Sequence, residues 1–214
     1  MRLSAALVWC CVAVSVYALA ACSDAKAPSA DEPGAPLPMC GEGFPQGCVQ
    51  PVDEARGLIY TAGEDGYAFR LLTLSDSEEL QSFTQARDVS TPDPMLLDVN
   101  LDGASELFVP VTGGMSNTLY RVWRLEEGRY VLADEVGANT LERDEQTGLL
   151  GVGVAVSAVR YSYDVYGLGE DGLEHVYTLE SDLADGACVL MPGPGFDEME
   201  LDADALLSAC EAGL

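Results

Sequence analysis

Oxygen-bearing side chains recur at Asp98, Asn100, Asp102 and Glu106 in the stretch Asp98-Val99-Asn100-Leu101-Asp102-Gly103-Ala104-Ser105-Glu106. Counted from Asp98 they fall at positions 1, 3, 5 and 9, with a glycine at position 6. A hard cation such as Ca2+ takes about six to eight oxygen ligands, and alternate residues of a tight loop can aim their side chains at one centre. In that arrangement Asp98, Asn100 and Asp102 supply side-chain oxygens and Gly103 permits the sharp turn. The Ala104 carbonyl then ligates and Glu106 closes the shell. The chemistry expected is calcium ligation. An acidic β-turn without metal uses the same residue types and stays open here.

Catalytic chemistry finds less support. His175 is the only histidine and lies between Glu174 and Val176 in a strand-like run, where a structural or surface role is the expectation. Ser116 sits in Gly-Gly-Met-Ser-Asn-Thr, which is not the Gly-x-Ser-x-Gly elbow of hydrolases. Carboxylates are plentiful, yet none outside the loop are paired by spacing as a glycosidase would need. No phosphate cradle or dinucleotide fingerprint is present. The expectation is a domain without catalytic activity. Tyr161 and Tyr163, at alternate positions of one strand, share a face and are candidates for core packing or for partner contact.

The flanks of the loop decide what must position it. Met95-Leu96-Leu97 before it and Leu107-Phe108-Val109 after it are of strand length, and Val109 stands where an EF-hand carries its last glutamate. The loop is therefore expected between two strands. Further strands are expected at 57–61 and 67–74 around the turn Gly63-Glu64-Asp65-Gly66, at 80–85, at 107–111, 118–125 and 129–134. The last group is 150–156, 159–166 and 173–180, with a second Gly-Glu-Asp-Gly turn at 169–172. Repeated strand–turn units imply an all-β, antiparallel fold with propeller-blade-like or sandwich-like sheets. After Gly186 an irregular tail is expected through Met191-Pro192-Gly193-Pro194-Gly195, then one short C-terminal helix from Asp197 to Cys210.

The N-terminal part reads differently. Arg2 precedes an apolar run from Leu7 to Ala21 that is too short for a stable membrane span and reads as a secretory signal over residues 1–21. Residues 22–55 are rich in Ala, Pro, Gly, Ser and acids, the composition of a flexible tether. The β domain is then expected over 56–214, a length that supports one sizeable core. Of seven cysteines, Cys10 and Cys11 lie in the signal. With Cys22 set aside, Cys40, Cys48, Cys188 and Cys210 remain, and an even number in an exported chain suggests two disulfides. Three connectivities are possible, and proximity favours Cys40–Cys48 with Cys188–Cys210. Zinc is the weaker reading, because the spacings are not Cys-x-x-Cys.

Charge bounds the partners. The chain carries 36 acidic against 10 basic residues, a net charge of −26. That disfavours nucleic acid and anionic lipid headgroups, so membrane contact is expected through a lipid anchor alone. It favours cations and a basic protein partner, although a proteome-wide acidic bias is an equally open source of the charge.

Two resemblances add to this. Leu19-Ala20-Ala21-Cys22 resembles the lipobox of bacterial lipoproteins, which implies cleavage before Cys22 and its lipidation. Ser23 rather than Asp after it implies outer-membrane delivery, facing the periplasm or cell surface; an ordinary secreted protein is the alternative. Second, Leu97-Asp98-Val99-Asn100-Leu101-Asp102-Gly103 with Glu106-Leu107-Phe108-Val109 resembles the calcium-binding strand–loop–strand of FG-GAP/VCBS-type repeats. Glu106 stands where Asp is usual. The continuation through Thr112-Gly113-Gly114, Thr118-Leu119-Tyr120 and Tyr161-Ser162-Tyr163 is similar to periplasmic immunity lipoproteins with one such loop. Those proteins inhibit secreted peptidoglycan hydrolases and have a propeller-like fold related to lysozyme inhibitors. Over residues 57–180 the resemblance implies an inhibitor or immunity protein for a cell-wall hydrolase. A non-catalytic adhesion or scaffold lipoprotein with the same calcium module is the alternative.

Overall fold

Period-two alternation of apolar residues, broken every few residues by Gly, Asp and Glu, folds this chain into successive up-and-down meanders. The computed structural model describes residues 37–41, 43–88, 91–114, 116–145 and 147–213. The secretory run and Cys22 lie outside these residues. Sheet I holds β1 (Gln50–Pro51), β2 (Arg56–Ala62), β3 (Gly66–Thr73) and β4 (Glu79–Ala86) in that order. Sheet II holds β5 (Met95–Leu97), β6 (Glu106–Gly113), β7 (Thr118–Glu126) and β8 (Arg129–Ala138), again in chain order. Sheet III runs from β9 (Thr140–Arg143) through β10 (Leu150–Ala155), β11 (Arg160–Gly169) and β12 (Gly172–Asp182) to β13 (Ala187–Pro192). Every neighbouring pair is antiparallel. The helix α1 (Ala203–Gly213) follows. The fold is all-β with one short C-terminal helix, and each sheet is a blade-like meander cut from one continuous segment.

The core is layered between the sheets. Tyr60, Phe69 and Leu71 of sheet I pack with Leu107, Val109 and Tyr130 of sheet II. Phe108, Tyr120, Val122 and Val136 of sheet II pack with Leu150 and Val152 of sheet III. Alternate residues of β6 thus serve opposite clusters, so its first six residues are all buried. A third cluster joins Val165, Val176 and Tyr177 of sheet III to Phe196, with Leu206 of α1 against it. Polar groups stitch the layers where side chains end. The Gln81 amide donates to Tyr130 O (2.9 Å) and accepts from Tyr130 N–H (2.7 Å), a two-point clasp between sheets I and II. Leu173 N–H donates to Asp134 Oδ2 (3.0 Å) between sheets II and III.

Three expectations need correcting. The packed unit does not begin at Arg56: Phe44, Val49 and Val52, inside the expected tether, are buried, and Phe44 meets Tyr60 edge-on with ring centroids 4.7 Å apart. Composition over a long window hid these few apolar residues. Second, residues 187–192 form the strand β13, because Cys188 and Leu190 alternate toward the helix while the neighbouring Pro-Gly run only ends the strand. Third, the helix starts at Ala203 rather than Asp197. Asp202 Oδ1 accepts from the N–H groups of Asp204 (3.0 Å) and Ala205 (3.1 Å) and so caps it. Before it, turns at 193–200 hold Phe196 in the core. The strand β9 was not expected from the sequence at all; it is short and has charged residues at Glu142 and Arg143.

Candidate metal centre

Strand β5 delivers Asp98 to the mouth of a loop, and β6 receives Glu106 from it. Between them Val99 is buried in the cluster shared by sheets II and III, which fixes the loop's entry. The backbone then turns through positive φ at Leu101 (57°) and Gly103 (87°). At Gly103 that conformation favours glycine. At Leu101 it costs an ordinary residue roughly 1–2 kcal/mol, so the loop holds its shape against a local preference.

The loop wraps around its own side chains. Asp98 Oδ2 accepts from Gly103 N–H (3.1 Å), Asn100 Oδ1 from Asp102 N–H (3.1 Å) and Asp102 Oδ1 from Ala104 N–H (2.8 Å). The Asn100 amide donates to Asp102 Oδ2 (2.9 Å). Each acid or amide at positions 1, 3 and 5 therefore points into the loop. Glu106 is almost fully buried, 1 % exposed, and its Oε2 accepts from Val99 N–H (3.0 Å). Burial above all, with the charges of Asp102 and Asp98 adding to it, pushes the Glu106 carboxyl up to about 7, although the Val99 N–H works against the shift.

The outer wall of the loop comes from elements outside it. Ser105 N–H donates to Val52 O (2.8 Å) and Ser105 O accepts from the Tyr130 hydroxyl (2.8 Å). Arg143 donates to Asp98 O (3.2 Å) from sheet III. Beside it, Asp53 Oδ1 accepts from the N–H groups of Ala55 and Arg56, and Arg56 pairs with the carboxylate. Burial opposes ionisation there, but these donors win and hold the Asp53 carboxyl below its ordinary value. Val52, Asp53 and Tyr130 were not found from the sequence. The nearest signal was the disulfide candidate Cys40–Cys48 just upstream, which marks a folded segment rather than a tether.

The residues fit a hard cation by one test that does not depend on the spacing. Asp98 Oδ1 is buried and has no hydrogen-bond donor. A buried carboxylate oxygen stripped of water and left unpaired is costly, and a bound ion is one of the few things that satisfy it. The donor set is all oxygen, as calcium requires. Among the described residues no three His, Cys, Asp or Glu side chains converge as a ready-made metal cluster, and Asp98, Asp102 and Glu106 do not do so in this arrangement.

The remaining candidates are placed as follows. Cys40 bonds to Cys48 and Cys188 to Cys210, with Cα–Cα distances of 5.1 and 6.2 Å, the pairing that proximity favoured. Tyr163 is drawn into the cluster beside the helix, with its hydroxyl on Glu142, whereas Tyr161 stays 41 % exposed. His175 Nε2 meets Thr178 Oγ1 at 2.8 Å, and that hydroxyl donates to Asp164 (2.6 Å). Threonine, not histidine, stands in the middle, which is not the order of a nucleophile–base–acid relay. Among the described residues no helix is long and apolar enough to cross a membrane.

No family model matches the chain. No curated protein matches it either. Among solved structures it is similar to a Xanthomonas type IV secretion system related protein, with a TM-score of 0.40 and 14 % identity over 68 % of this chain and 79 % of that one. A likeness that slight carries no argument about function.

Proposed function

We propose that this chain is a lipid-anchored, calcium-stabilised β domain that binds and inhibits a cell-wall hydrolase. The observation that carries the calcium part is the buried, unpaired Asp98 Oδ1 in a loop that also buries Glu106. Asp98, Asn100, Asp102, Ala104 and Glu106 would hold the ion, and its positive charge would offset the negative charges of Asp98, Asp102 and Glu106. The chain's own part is structural. With the loop fixed, β5 and β6 keep register, Val99 stays in its cluster, and Tyr130 and Val52 keep their contacts with Ser105. The partner reading is supported by the resemblance to immunity lipoproteins and by the net charge of −26, which would speed association with a basic hydrolase.

Thermal unfolding tests the calcium part. Millimolar calcium should raise the melting temperature and chelator should lower it, with magnesium a poor substitute. Asp98→Ala and Asp102→Ala should lose the response, while Asp185→Ala, outside the loop, should keep it. A wild-type curve that is identical in calcium and chelator, with no heat of binding, would leave the loop as a turn only. Protection of peptidoglycan from basic muramidases and amidases tests the inhibitor part; a protein that protects against none of them is better read as an adhesion or scaffold lipoprotein.

A further inference from the structure

Sheet III has two faces with different neighbours. The register sets Leu179 against Leu190 and Ser181 against Cys188. That face turns to the helix, where Leu179 and Leu190 join the Tyr177 cluster and Cys188 bonds to Cys210. The alternate residues, Glu180 opposite Val189 and Asp182 opposite Ala187, stand on the other face. There sheet II covers Leu150 and Val152 of β10, but Val189 and Met191 of β13 remain 54 % and 41 % exposed. Val156 is open in the same way, at 59 %, whereas Tyr161, paired with Ser181, stands on the helix side of the sheet. Val156 and Val189 line one cavity of about 180 Å³ with Glu180, Asp182 and Asp185 around it. Exposed Val159 and Leu183 flank it, joined by a backbone hydrogen bond of 2.9 Å.

Charge selects the occupant. Asp182 is paired with Arg160 at 3.2 Å, whereas among the described residues neither Glu180 nor Asp185 has a salt-bridge partner. The rim is thus negative around an apolar centre, the layout of a protein interface in which a central anchor is ringed by polar groups. A second copy would bring the same unpaired acids together on a chain already at −26, and an anionic lipid surface would be repelled.

We propose that this open face of sheet III is the docking surface for a cationic protein, which seats an apolar side chain against Val156 and Val189 and sets Lys or Arg beside Glu180 and Asp185. For the class of partner the proposal rests on the hydrolase-inhibitor reading. The test uses the full chain in non-ionic detergent with a basic lysozyme-type muramidase and a basic amidase as probes, read by binding isotherms and amide hydrogen-exchange footprints. Binding should protect β11–β13, weaken with salt, and fall about tenfold or more in Val189→Lys and Glu180→Lys. Leu132→Lys, an equally exposed apolar site on β8, should bind as the wild type does. Unchanged melting temperatures would show that the variants fold. Tight binding that ignores these substitutions and protects another surface overturns the docking site and leaves the inhibitor reading intact. No binding to either probe overturns the inhibitor reading and this proposal with it. A dimer in sedimentation that Val189→Lys dissolves would assign the face to a second copy instead.

Discussion

Replacing Glu106 with glutamine removes one charge from a site that is 1 % exposed and leaves its shape almost unchanged. The wild-type carboxyl is pushed from an ordinary 4.5 up to about 7 in the folded chain. A folded value above the unfolded one means that the fold binds the proton more tightly. The stability from this group is therefore fully present below about pH 4.5 and is lost as pH rises through about 7. The gap corresponds to about 3 kcal/mol that the calcium-free wild type forgoes at pH 8. Glutamine cannot ionise, and its carbonyl can still accept from Val99 N–H, so Glu106→Gln should be the more stable protein in chelator at pH 8. Its new amide hydrogens must find acceptors, which trims the gain to roughly 1–3 kcal/mol. For a domain of this size that is a rise of roughly 2–12 °C in melting temperature. At pH 5 the advantage should vanish. In calcium at pH 8 the advantage should shrink by up to about 2.7 kcal/mol, the wild type's gain at a hundredfold excess over the dissociation constant, because the variant lacks the Glu106 carboxylate as a candidate ligand. Circular-dichroism melts at both pH values, with calcium and with chelator, give all four comparisons. A variant less stable than wild type by the same margin at pH 5 and pH 8 in chelator would refute the reasoning, because Glu106 would then act through packing alone.

Further outcomes are expected elsewhere in the chain. Cys22→Ser should release the protein from membranes and abolish lipid labelling; unchanged partitioning and labelling in cell fractions would sink the anchor. Cys188→Ser should cost about 2–4 kcal/mol in urea unfolding, since the bond closes a loop with a separation of 22 residues and ties α1 to β13, and the unreduced, denatured wild type should show no thiol at Cys40, Cys48, Cys188 or Cys210. Gly66→Ala should cost about 1–3 kcal/mol in the same assay, because a Cβ there would stand 2.3 Å from the Gln85 carbonyl oxygen and the backbone cannot step aside.

Where side chains repeat with period two, the fold was legible. Tyr67, Phe69 and Leu71 alternate with exposed Ala68 and Arg70, and Phe83 and Thr84 mark the strand at 79–86. The loop was legible for a different reason: the five candidate ligand positions sit in nine consecutive residues, so no tertiary contact is needed to place them in one turn. What surrounds the loop was not. Val52, Tyr130 and Arg143 reach it from three other segments, and nothing local marks a residue whose partner lies dozens of positions away. The two tyrosines show the same limit. Alternation places Tyr161 and Tyr163 on one face, but the sequence does not reveal that cover ends between them. Gly151, where a Cβ would stand 1.9 Å from the Tyr163 hydroxyl, was a usable sign that Tyr163 lies flat against its neighbouring strand.

Because each sheet is a meander drawn from one continuous stretch, the sheets can assemble one after another along the chain. Pairings join strands that are close in sequence, which makes contact order low for an all-β protein and searching short. The middle sheet is the exposed step. Its strand β6 is apolar on both faces, so until the third sheet arrives one of those faces meets water or another unfolded chain. A pause in folding after residue 138 would hold that face open, and aggregation during folding should concentrate there.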